Sequence, residues 1–78
     1  MSKLSRVNYA RTLYDTFGTD NCKRVDVIEP GEIVLVFEET MKSTGSEARE
    51  VFVLTAQGKS GWIVIFTHFS GRTVEIFE

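Results

Sequence analysis

The chain has 78 residues, 42% of them apolar and 26% charged, a size and composition that call for one lean core in a single domain over residues 1–78 and exclude a disordered or collagen-like polymer. A single cysteine, Cys22, rules out an internal disulfide and fits a reducing compartment, so a cytoplasmic location is expected. The net charge of −2 is too small to indicate a membrane or nucleic-acid partner, and the apolar runs are far shorter than the roughly 20 residues that cross a bilayer.

At the N-terminus, Leu4, Val7, Ala10, Leu13, Tyr14 and Phe17 recur at steps of three and four with no Gly or Pro between them, which predicts an amphipathic helix from about Lys3 to Phe17. Ser2 or Ser5 suits its N-cap and Gly18 a left-handed C-terminal cap. The opposite face of that helix, Asn8, Tyr9, Thr12 and Thr16, is polar yet uncharged. After Thr19-Asp20-Asn21 the period changes to two, predicting a strand at about 22–29. Glu29-Pro30-Gly31-Glu32 has the residue chemistry of a type II turn, with proline presetting φ and glycine accepting a positive φ, and so leads into a return strand at about 32–39.

Thr40 to Ala48 reads as the longest loop. Two further runs rich in β-branched and aromatic residues predict strands at about 49–56 and 62–69, joined through Gln57–Gly61, and Ser70-Gly71-Arg72 turns the chain into a last strand at about 73–77. Connections this short exclude parallel neighbours. The expected class is α+β, one N-terminal helix packed on a meander of about five antiparallel strands.

The inner strands are apolar on both faces: Ile33, Leu35 and Phe37 alternate with Val34 and Val36, Phe52 and Leu54 with Val51 and Val53, Trp62, Val64 and Phe66 with Ile63 and Ile65. One helix covers one face. The second face must therefore be hidden by a sheet that curls on itself or by another chain, and the expectation here is another chain, with Ile63, Ile65, Val74 and Ile76 forming a homodimer contact through that face or the last strand.

No site chemistry emerges. The six glycines form no phosphate cradle, one histidine and one cysteine cannot make a closed zinc site, and Cys22 or Ser70 with His68 lacks a third group to orient the imidazole. No cofactor, metal or catalytic residue is expected, so the chain reads as a non-enzymatic regulator or inhibitor that occludes a surface of a larger protein, with a viral or mobile-element origin expected for it. Two patches suit such a partner: Asn8, Tyr9, Thr12 and Thr16 on the uncharged helix face, and an acidic rim of Glu29, Glu32, Glu38 and Glu39 for a basic partner. The alternative is an accessory protein that binds nucleic acid through Lys3, Arg6, Arg11, Lys23 and Arg24 with Tyr9 as a stacking surface.

Overall fold

The computed structural model describes residues 2–18, 22–43, 49–69 and 72–77, with 66–69 and 72–75 described as backbone. They form eight strands: β1 (Ser2–Arg6), β2 (Arg11–Tyr14), β3 (Arg24–Ile28), β4 (Ile33–Ser43), β5 (Arg49–Thr55), β6 (Ser60–Val64), β7 (Phe66–Phe69) and β8 (Arg72–Glu75). No helix occurs among the described residues, so the expected α+β class gives way to an all-antiparallel sheet. Of the expected helical stripe only Val7 and Leu13 are buried, while Leu4 is 70% exposed and Phe17 lies in the loop after β2. Two strands of period two, separated by the four-residue corner Val7–Ala10, produce three- and four-residue apolar steps that imitate a helix face. Gly18 does take a φ of 89°, but in that loop rather than at a helix end.

The main sheet runs in the order β1-β4-β5-β6-β2-β3, and β7 pairs with β8. The meander is thus confined to β4, β5 and β6. The Glu29–Glu32 turn forms as its residues dictate, with Gly31 at φ 94° and the Glu32 N–H donating to the Glu29 carbonyl at 3.2 Å. It does not make a hairpin, because its free backbone groups are taken by the other corner: the Gly31 N–H donates to the Val7 carbonyl (2.7 Å) and the Val7 N–H to that of Glu32 (2.9 Å). β3 pairs with β2, and β4 with β1 and β5.

This connectivity forces curvature. A β-turn brings its ends within about 7 Å, whereas a flat sheet would hold β3 and β4, four places apart, at about 19 Å. The sheet therefore rolls around its inner side chains. Val7, Leu13, Ile28, Val34, Val36, Val51, Val53, Ile63 and Ile76 are each 3% exposed or less and form one cluster, with Ile65 and Phe77 packed against it. Ile76 arrives from beyond β8, held by an antiparallel bridge between Val7 and Phe77 and by the Asn8 N–H on the Ile76 carbonyl at 2.7 Å. On the rim, Lys59 and Asp26 pair at 3.0 Å, which holds the Asp26 carboxyl below its ordinary range.

The curl corrects the expected dimer contact. Ile63 and Ile76 are core residues and offer no surface to another chain, and Ile65 is partly buried against that core. The side chain of Val74 lies outside the described residues; its backbone pairs with Thr67. The alternation within each strand matches the sequence pattern, but the set facing inward is the one expected to face out.

Candidate functional site: an aromatic row on the convex face

With Val34, Val36, Val51, Val53 and Ile63 turned in, the large aromatic side chains of the same strands turn out. The ladder registers place them in one row across the sheet: Phe37 opposite Phe52, Phe52 opposite Trp62, and Trp62 opposite Tyr14. Phe37, Phe52 and Trp62 are half-buried, and their rings meet at angles rather than in stacks, Phe37 to Phe52 at 5.7 Å and 50°, Phe52 to Trp62 at 5.6 Å and 72°. The loop after β2 adds a fifth ring: Phe17, 38% exposed, stands edge-on to Trp62 at 5.4 Å and 72°. Such tilted and T-shaped pairs are the favoured geometry of ring quadrupoles.

One end of the row is shaped by a bulge. Phe37 pairs with Phe52 but Lys42 with Glu50, so residues 38–41 stand opposite Val51 alone. The Thr40 hydroxyl fixes this excursion, donating to the Phe37 carbonyl at 2.6 Å and accepting from the Phe52 N–H at 2.9 Å. The bulge leaves Glu38, Glu39 and Met41 exposed beside the rings and returns Lys42 toward them. The Lys42 ammonium lies 5.5 Å from the Phe17 ring centre and 6.0 Å from that of Trp62, within cation–π range.

Beneath the Phe17-Gly18 segment lies Glu50, only 1% exposed. Its Oε1 accepts from the Gly18 N–H at 3.3 Å, and its Oε2 has no hydrogen-bond partner. Leaving a buried carboxylate oxygen without a donor costs stability. Glu50→Gln keeps the shape and an oxygen for Gly18 while removing the charge, and is expected to raise the thermal midpoint by several degrees, the equivalent of about 1 kcal/mol in a domain this small. A lowered midpoint in a thermal melt would show that the carboxylate is stabilising as it stands.

The expected site residues do not assemble as foreseen. Without a helix, Asn8 and Tyr9 sit exposed at the β1–β2 corner, Thr12 is half-buried on β2 and Thr16 is exposed in the following loop, so the four share no face. The acidic rim also divides: Glu29 and Glu32 belong to the turn before β4, whereas Glu38 and Glu39 lie six residues farther along, about 20 Å away along a strand. Only the second pair borders the aromatic row. Sequence reasoning passed over Phe17, Phe37, Lys42, Glu50, Phe52 and Trp62 as a group. The signal was present in the phase of the strands, because Phe37, Phe52 and Trp62 fall in the set opposite the small β-branched residues.

A recess of about 260 Å³ bordered by Ala10, Arg11, Thr12, Tyr14 and Val64 is smaller than ordinary small-molecule pockets, and burial there draws the Arg11 guanidinium below its usual pKa. Among the described residues no three His, Cys, Asp or Glu side chains come together as metal ligands. Comparison with protein-family models, curated proteins and solved structures finds no match to this chain.

Proposed function

We propose that this chain is a non-catalytic binding protein of the cytoplasm, a regulator or inhibitor that covers a basic surface of a larger protein with its convex aromatic face. The observation that carries the reading is the chain of four contacting rings, Phe37, Phe52, Trp62 and Phe17, held on the outside of the sheet. Aromatic side chains on a rigid element dominate the centres of protein interfaces, where they bury large areas at low entropic cost. The charge at the border indicates the partner's sign. Glu38 is exposed next to Phe37 and favours approach by a basic surface.

A single-stranded nucleic acid is the weaker reading. Bases stack on free ring faces, and these rings close much of one another's surface edge to face. Of the bases that would draw phosphates, Lys42 stands over the rings, but Lys3 and Arg6 lie on β1 and Arg24 on β3, the two edge strands.

The test is to pan a library of random twelve-residue peptides against the folded chain. Enriched sequences are expected to combine Arg or Lys with large apolar residues, to lose binding to Phe37→Ser and to keep it with Tyr9→Ser. No enrichment, or enrichment indifferent to Phe37→Ser, would sink the proposal. A tighter complex with single-stranded oligonucleotides would transfer the face to nucleic acid, and a dimer dissociated by Phe37→Ser would transfer it to a second copy; either overturns the reading.

A further inference from the structure

We infer that the aromatic face contains a subsite for one arginine side chain of the partner, built from Trp62, Phe17 and Glu50 and filled in the free protein by Lys42. The inference rests on the reading of this face as a docking surface and adds the chemistry of the group received. Two observations carry it, and they are independent. A cation already stands over the Phe17 and Trp62 rings, at 5.5 and 6.0 Å from their centres. Next to it in the ladder, opposite Lys42, is a carboxylate that is buried and has one oxygen without a donor.

Lys42 meets only half of what the site offers. Its ammonium is placed over the rings, and among the described residues the only hydrogen bond to the Glu50 carboxylate comes from the Gly18 N–H. An ammonium is a compact point charge, whereas a guanidinium is a plane that rests its face on an aromatic ring while its edge N–H groups point at a carboxylate. A guanidinium between Trp62 and Glu50 therefore supplies the missing donor to Oε2 and keeps the cation–π contact. Lys42 is exposed, so its head can swing into water without uncovering core. The exchange conserves charge, one cation leaving the rings as another arrives. The border acid Glu38 adds attraction for the incoming cation.

The loop of Phe17 and Gly18 reports on the subsite. It contributes one ring and one N–H to the subsite, so an arriving guanidinium perturbs both ends of it. Trp62 is the only tryptophan of the chain, which makes its fluorescence specific to this place.

The experiment titrates N-acetyl-arginine methylamide, and separately N-acetyl-lysine methylamide, into the folded protein while following Trp62 fluorescence and the Gly18 amide by ¹H–¹⁵N spectroscopy. Expected are saturable shifts of both signals with the arginine compound and much weaker ones with the lysine compound. Lys42→Gln, which removes the internal competitor, should tighten arginine binding several-fold, and Glu50→Gln should weaken it about tenfold, the worth of a charge-assisted hydrogen bond. Equal response to both compounds, or arginine binding indifferent to Glu50→Gln, would overturn the inference. The docking face and the subsite fail separately: library peptides that need Phe37 yet carry no arginine, and bind Glu50→Gln as well as wild type, leave the face standing and remove the subsite.

Discussion

Gly61→Ala is expected to cost about 3 kcal/mol or more and to shift the denaturation midpoint far below that of the wild type, although it adds a single methyl group. A Cβ at residue 61 would run into the Tyr14 carbonyl oxygen and stand 3.1 Å from Leu13 Cγ and 3.2 Å from its Cδ1. Backbone cannot step aside as a flexible side chain does. The clash also falls where the sheet has least to spare, because β2 joins β6 through the single pair Tyr14 and Trp62, and β3 reaches the rest of the sheet only through β2. Displacing β2 withdraws Leu13 and Ile28 from the core together. Urea unfolding followed by circular dichroism measures the loss; a midpoint equal to wild type would mean that β2 is not held against β6 at this point.

Ile63→Lys is expected to leave the chain unfolded at room temperature. Ile63 is fully buried and pairs with Val51 in the middle of the cluster, so the substitution places an ammonium where nothing can pair with it, a cost above about 4 kcal/mol. A domain of this size commands roughly 4–12 kcal/mol in all. The neighbouring Val64→Lys, on the outer face and half-buried, should fold, and the contrast between adjacent positions reads the strand's orientation directly. A dispersed amide spectrum from Ile63→Lys would refute the inward placement of this residue.

The strands from β4 to β6 were legible in the sequence because β-branched and aromatic residues alternate there between turn residues. The Pro30-Gly31 turn was legible for the same local reason, and Gly31 takes the positive φ that its place requires. What the local pattern could not convey was the partner of each strand. The Glu29–Glu32 turn looks like a hairpin turn, yet its backbone groups bond to Val7, a residue far away in sequence. The N-terminal segment failed for a related reason. Leu4 and Phe17 completed an apparent helical stripe, but Leu4 lies on an outward position of β1 and Phe17 closes over Trp62. With a helix expected to cover one sheet face, Ile63 and Ile65 are left over as a contact surface; the curl of the sheet instead buries Ile63 in the core and packs Ile65 against it. The candidate site inherited that error, since the face thought to lie under the helix is the one that carries the rings. Lys42 was hidden inside an expected loop, and the burial of Glu50 depends on the Phe17-Gly18 loop, which no period in the sequence announces.

The strand order has a consequence for how the chain acquires its shape. β2 and β3 are neighbours in sequence and can pair as soon as both exist, but the other side of β2 waits for Trp62, 48 residues after Tyr14. At a synthesis rate of about 5–20 residues per second that interval lasts roughly 2–10 s. β1 likewise waits for β4, and the Val7 corner for Phe77. Pairings so distant along the chain carry a large loop-closure cost and fold on the slow side for a small domain, in milliseconds to seconds. A nascent chain therefore carries the β2–β3 pair with one edge bare until β6 emerges, the interval in which a chaperone or a second nascent chain has access to it.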